Sequence, residues 1–157
     1  MEQFTISDEV AIMPISKVLD KLADDGLEVT STSRKKALGT DRFGIKYLTV
    51  ILIRVNELGS DLSMFDIADY AKKCGYKVVF PHNLLRFLAS YEPSPPNKSV
   101  LCITDPHVNF MSPSIELMST VHEGSDSYSI MSWSVDLSYK PHPNCILVFM
   151  KDNDHIL

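Results

Sequence analysis

The chain has 157 residues, of which 45% are hydrophobic and 22% are charged, and its formal net charge is −5 at pH 7. This size and composition suffice for one folded domain with a buried core, which excludes a largely disordered chain. The apolar runs, such as 50–53 and 145–150, are far shorter than the ~20 residues that cross a bilayer, so no membrane-spanning segment is predicted.

The charged residues divide the chain into three segments. Residues 1–33 contain two basic and seven acidic side chains, residues 34–98 contain eleven and six, and residues 99–157 again contain two and seven. The central segment therefore has a net charge of +5 between two segments of −5 each. Because the local field governs encounter with a charged partner, this arrangement predicts attraction of the central segment to an anionic partner such as nucleic acid.

The cysteines and the first residues indicate a reducing compartment. Three cysteines are present, Cys74, Cys102 and Cys145, widely spaced and set among apolar neighbours. An odd number without a Cys-x-x-Cys pair predicts reduced, buried thiols, and neither a disulfide framework nor a zinc site. The first residues lack the basic and then apolar pattern of a secretory signal. We therefore expect a cytoplasmic protein, or a nuclear one in a eukaryote, that is not secreted and has no cofactor.

In chain order, the first strong pattern is an amphipathic helix over 14–25, in which apolar residues recur with helical period and Gly26 follows the end. The hydroxyl-rich and then basic stretch 30–36 predicts a surface loop. The apolar run within 42–58 is long and has no internal breaker. Length therefore favours a central helix over a strand, with Gly59 as its stop.

Two more helices are predicted in the central segment of the chain. Ser63 and Asp66 have the spacing of a capping box, so a helix should begin there and end at Gly75. Pro81 opens another helix, which ends near Tyr91. The proline-rich residues 93–97 then predict a linker.

Beyond this linker the pattern changes to that of strands. From Ser129 to Tyr139 apolar and polar residues alternate, which predicts a half-buried strand paired in a hairpin with 115–122. Residues 100–104 and 145–150 predict two further buried strands. The predicted fold is a single α+β domain over 1–157, with about four helices in a helical part (1–92) and a small, mostly antiparallel sheet in 98–157. Open edges of such a sheet also allow a homodimer.

The two central helices suggest a function. Ile67, Ala68 and Ala71, followed by Gly75 and a second helix, resemble the opening of a helix-turn-helix, and with the later hairpin the order resembles a winged-helix domain over 42–122. This resemblance implies a nucleic-acid-binding regulatory protein whose second helix meets base edges while lysines sit beside the phosphates. The nucleic-acid-binding residues that it implies, together with the basic residues of the 30–36 stretch, are Lys72, Lys73, Lys77, His82, Asn83, Arg86, Arg34, Lys35 and Lys36. The same residues also fit ordinary solvated helix faces and loops.

An enzyme is the less favoured alternative. Asp105 and His107, two apart after a hydrophobic strand, resemble the first motif of calcineurin-like metallophosphoesterases. That resemblance implies a divalent metal that activates water for phosphoester hydrolysis. His122 and Glu123 could supply further ligands if the strand ends converge. The later motifs of that family do not follow in the chain.

A non-catalytic adaptor or inhibitor that binds another protein is the remaining alternative. Methionine and aromatic side chains make good interface anchors, and equally good core residues. In the predicted sheet they are Met111, Met118, Tyr128, Met131, Trp133 and Tyr139. The acidic ends of the chain could engage a basic surface on such a partner.

Overall fold

The computed structural model of the chain describes residues 1–41, 49–91, 99–105, 113–122 and 128–150, and of residues 105 and 122 it describes the backbone. The helices in these ranges are α1 (Asp8–Ala11), α2 (Ile15–Asp24), α3 (Ser31–Thr40), α4 (Val55–Leu58), α5 (Met64–Cys74) and α6 (Pro81–Ser90). The strands are β1 (Glu2–Thr5), β2 (Leu27–Val29), β3 (Thr49–Arg54), β4 (Val100–Asp105), β5 (Ser114–His122), β6 (Tyr128–Asp136) and β7 (Ile146–Met150). None of the described helices has the length and apolar character needed to cross a membrane.

All the described strands belong to one mixed sheet. Their order across the sheet is β1-β3-β7-β4-β5-β6-β2. β7 is parallel to β4 and β2 is parallel to β6, whereas the other neighbours are antiparallel. The last strand of the chain therefore lies inside the sheet, between β3 and β4, while β1 and β2 form its two edges.

Helices cover both faces of this sheet. Buried side chains of α1, α2, α3 and α6 share one core with alternate strand residues such as Leu52 and Val148. Buried side chains of α4 and α5 share a second core with the intervening residues, such as Ile51 and Leu147. We call the first side the four-helix face and the second the α5 face. Because the central strands are buried on both sides, their sequences are nearly continuous apolar runs.

The local signals that begin and end α5 act as predicted. The Ser63 hydroxyl accepts from the Asp66 amide, and the Asp66 carboxylate accepts from the Ser63 amide at 3.0 Å. These hydrogen bonds hold the pKa of Asp66 below its usual value. Gly75 ends the helix in a left-handed conformation with φ of 74°. The predicted helices over 14–25 and from Pro81 are confirmed as α2 and α6.

The predicted fold class is wrong in its division of the chain. Instead of a helical first part and a small antiparallel sheet after it, three strands of a mixed sheet come from residues 2–54, and helices alternate with them. In the described part of the predicted central helix over 42–58, residues 49–58 form strand β3 and the short α4. Residues 50–53 of β3 are buried on both faces of the sheet. No polar residue therefore alternates with the apolar ones to reveal the two-residue period of a strand. The predicted linker at 93–97 lies outside the described residues.

The stretch 30–36 is also not a loop. α3 begins at Ser31, directly after Thr30, whose hydroxyl accepts from the Ser33 amide. Ser33 faces the sheet and its hydroxyl lies 2.8 Å from that of Ser132. Hydroxyl side chains favour loops because they can hydrogen-bond to nearby backbone groups. Here, however, Thr30 caps α3, and the Ser33 hydroxyl is hydrogen-bonded to Ser132 of β6.

Candidate functional site

The two helices that resemble a helix-turn-helix lie on opposite faces of the sheet. α5 belongs to the α5 face and α6 to the four-helix face. The segment between them pairs with the end of β7, where the backbone groups of Lys77 and Met150 exchange two hydrogen bonds of 2.9 and 3.0 Å. A helix-turn-helix needs direct packing of its two helices. The resemblance therefore does not hold at these helices.

The residues expected to meet base edges are buried in α6. His82, Asn83 and Arg86 are only 2%, 2% and 7% exposed. Side chains that read bases must reach into a groove from the protein surface. These three side chains do not reach the protein surface, so they are not positioned to contact base edges.

Instead, α6 contributes to a buried polar cluster with the end of α3. The His82 Nδ1 lies 2.9 Å from the Thr40 hydroxyl. The Arg86 Nη2 donates to the Met13 carbonyl at 2.8 Å and pairs with the Asp41 carboxylate at 2.9 Å. The cluster thus ties α6 to α3 and to the segment between α1 and α2, which is a structural role.

The predicted basic residues do not converge on one surface. Residues 34–36 belong to α3 on the four-helix face, whereas Lys72 and Lys73 end α5 on the α5 face, with the sheet between them. Two of these cations also have acidic partners, since Lys36 pairs with Glu116 at 3.4 Å and Lys73 with Asp69 at 2.8 Å. The positive charge of the central segment is therefore divided between two faces.

The alternative metal ligands are not brought together either. Asp105 at the end of β4 is opposite Glu116 in β5, and His122 is at the far end of β5. At ~3.3 Å per residue, the backbones of Asp105 and His122 are roughly 20 Å apart, too far to share one ion. His107 and Glu123 lie outside the described residues. Within the described part of the chain, no group of three His, Cys, Asp or Glu residues could hold a metal ion.

The sheet residues expected as interface anchors are divided between core and surface. Met118 and Tyr128 are buried, whereas Met131 and Tyr139 are exposed. Trp133 is partly buried against the α5-face core, its indole donates to the Ser119 hydroxyl at 2.9 Å, and its ring meets the Tyr139 ring edge-on. Met111 lies outside the described residues.

The cysteines differ in accessibility. Cys102 and Cys145 are buried as predicted, but Cys74 at the end of α5 is exposed. Burial raises the pKa of Cys145 to about 12 and raises that of Cys102 as well. Because the thiolate is the reactive form, neither buried thiol is suited to act as a nucleophile at neutral pH.

We expect a thiol reagent such as DTNB to modify only Cys74 in the native protein at neutral pH. All three cysteines should react once the protein is unfolded in urea, and the difference is read from the absorbance of the released thiolate. The Cys74→Ser protein is the control, since it should release nothing before unfolding. Rapid reaction of that variant in the folded state would contradict the burial of Cys102 and Cys145.

The edge of the sheet at β2 offers a candidate binding site in the described residues. β2 is the terminal strand and pairs only with β6. The Thr30 amide donates to the Ile130 carbonyl, and the parallel register with β6 directs the backbone groups of Glu28 the same way. Backbone groups alternate in direction along a strand, so the amides and carbonyls of Leu27 and Val29 point away from β6. As whole residues, however, Leu27 and Val29 are only 3% and 7% exposed, so these groups are largely covered in the unbound protein.

A pocket adjoins this edge on the four-helix face, between α2 and α3. Its volume is about 330 Å³. Its walls come from α2, β2, the first turn of α3 and the start of β6: Leu19, Ala23, Gly26, Leu27, Glu28, Val29, Arg34 and Tyr128. Most of these side chains are apolar, and Arg34 in the first turn of α3 adds a cation. The pocket is open and large enough for one bulky side chain of a ligand.

This chain matches no known protein family, no curated protein and no solved structure. The candidate site is therefore defined by the chain's own geometry and charge.

Acidic side chains surround the same edge. Glu28 is exposed on β2, and Asp24 and Asp25 are exposed where α2 ends. Within the described residues, neither Glu28 nor Arg34 has an ion-pair partner. Sequence reasoning recognised the acidic character of the first segment but not this site, because a strand of three residues is too short to show a period.

Proposed function

We propose that this protein acts without catalysis, as an adaptor or inhibitor that binds an extended segment of another protein at the β2 edge. The single observation that carries the proposal is the combination of a terminal strand with outward-facing backbone groups and a pocket beside it. Addition of a strand to an open sheet edge is a recurring mode of peptide recognition, in which backbone hydrogen bonds give affinity and pockets for alternate side chains give specificity.

Backbone hydrogen bonds and the pocket would contribute separately to the binding free energy. A segment laid along β2 would exchange hydrogen bonds with Leu27 and Val29, and each such bond contributes a net ~0.5–1.5 kcal/mol. So few bonds support only weak binding. One apolar side chain buried in the pocket would add about 1.5–3 kcal/mol, which makes the pocket necessary for a useful affinity.

We expect Val29→Pro to abolish binding of extended peptides, because proline removes an outward amide and its ring obstructs an added strand. Val29→Ala is the matched control, since it also loses buried side-chain volume but keeps the amide. Peptides selected by the wild-type protein from a random library displayed on phage serve as probes. Their dissociation constants for the wild-type protein and the two variants are compared by fluorescence anisotropy, after circular dichroism has shown that both variants are folded.

Hydrogen exchange gives an independent test of the same geometry. A bound peptide should protect the amides of Leu27 and Val29, whereas the Glu28 amide, already directed at β6, should change little. Protection confined to another surface, or peptides that bind Val29→Pro as tightly as Val29→Ala, would refute the proposal. So would failure of the wild-type protein to enrich any peptide.

The nucleic-acid prediction is tested separately from this proposal. A titration of the protein with duplex and single-stranded DNA at low ionic strength detects a complex by its changed mobility. Contacts to phosphate release counterions, so a genuine complex weakens steeply as salt rises. A complex whose affinity does not change with salt would contradict phosphate contacts.

A further inference from the structure

We infer that the segment accepted at the β2 edge has a basic residue between an apolar residue and an acidic one. This inference rests on the proposed function and names the chemistry of its ligand. It follows from which face of the sheet each β2 side chain occupies and from the charges that have no partner there.

The faces are assigned by the cores. Leu27 and Val29 are buried in the core of the four-helix face, so Glu28 between them points to the α5 face. Residues directly opposite one another on neighbouring strands point to the same face and contact each other. The residue of an added segment that lies opposite Glu28 therefore points to the α5 face. The residues before and after it point to the four-helix face, where the pocket lies.

The charge at the middle position favours a lysine or arginine. Glu28 is exposed and has no ion-pair partner within the described residues. A basic side chain opposite Glu28 is attracted by its carboxylate, and an acidic side chain is repelled.

The two pocket positions differ from each other. Tyr128 is directly opposite Leu27 in the sheet, and Ala23 leaves space beside it, so the position opposite Leu27 suits an apolar side chain. α3 begins two residues after Val29 and carries Arg34 on the pocket wall. An acidic side chain opposite Val29 can reach that guanidinium, which holds carboxylates in a fixed geometry.

The same charges argue against a second copy of this chain as the occupant. Symmetric antiparallel pairing of two β2 edges centred on Glu28 places Glu28 against Glu28. Like charges directly opposite destabilise a strand pair. A segment of opposite charge is favoured over self-association at this edge.

Charge reversal at Glu28 tests the inference. Two synthetic peptides are made from a sequence that the wild-type protein selects, one with Lys and one with Glu at the middle position. We expect wild-type protein to bind the Lys peptide about three- to tenfold more tightly at low ionic strength, and Glu28→Lys to reverse this preference. Glu2→Lys on the other edge strand changes net charge equally and should leave the preference unchanged.

The outcomes separate this inference from the proposal beneath it. Peptides that bind through the Val29 amide but show the same preference in wild-type and Glu28→Lys proteins overturn the inference alone. Reversal of the preference by Glu2→Lys also overturns it, because net charge would then be the cause. Selection of no peptide overturns both. A wild-type dimer, detected by sedimentation and dissolved by Val29→Pro, overturns the inference because the occupant is then a second copy.

Discussion

We expect Phe87→Ala to lower the free energy of unfolding by about 3–5 kcal/mol, the cost of removing a fully buried phenyl group and leaving a cavity. Phe87 is 0% exposed in α6. Its ring centre lies 5.6 Å from that of Phe4 in β1 and 4.9 Å from that of Tyr91. The substitution therefore loosens both the helix layer and the edge strand beneath it. Urea denaturation followed by circular dichroism measures the effect.

Phe65→Ala is the matched control, because it removes the same group from the surface. Phe65 is 60% exposed at the start of α5. Its replacement should change the free energy of unfolding by only about 0.5 kcal/mol. Similar losses in the two variants would contradict the placement of α6 in the core.

The second large effect is expected at the buried polar cluster. Asp41→Ala should lower the free energy of unfolding by about 2–4 kcal/mol, because it leaves the Arg86 charge buried without a counterion. Arg86→Met should cost less. That change removes the charge together with the Arg86 Nε, which is buried and has no acceptor, and methionine retains most of the volume.

The double variant decides whether the two residues act as a pair. If they do, Asp41→Ala combined with Arg86→Met should be more stable than Asp41→Ala alone, because no uncompensated charge remains. Denaturation of all four proteins in urea gives the coupling free energy. Strictly additive losses would show that the 2.9 Å contact between Arg86 and Asp41 contributes no interaction of its own.

Elements with a complete local signal could be predicted from the sequence. The amphipathic period of α2, the capping box of α5 with Gly75 after it, and the alternation along β6 each act within a few residues of chain. All three correspond to elements of the structure. Their boundaries follow because caps and turns satisfy backbone groups locally.

Long-range packing could not be predicted in the same way. β2 is a strand because Leu27 and Val29 lie beside Tyr128 and Ile130, about a hundred residues later in the chain. β3 looked helical because its residues are apolar on both faces. No local pattern states which partners a strand will find, so the extent of the sheet was underestimated.

The burial of α6 shows the same limit at the level of function. The helix-turn-helix resemblance implied that His82, Asn83 and Arg86 would meet base edges from the protein surface. α1, α2, α3 and the sheet surround α6, so even its polar side is covered. Partners such as Thr40 and Asp41 compensate this burial, and they lie at the end of α3, a helix whose first residues were predicted to be a loop.

The position of β7 inside the sheet has a consequence for biosynthesis. Until residues 146–150 leave the ribosome, none of the described strands lies between β3 and β4, so β1 and β3 form one half-sheet and β4, β5, β6 and β2 form the other. Both half-sheets expose unpaired apolar edges during that interval, which invites association with other chains. Chaperone capture should therefore be strongest for translation intermediates that stop short of β7.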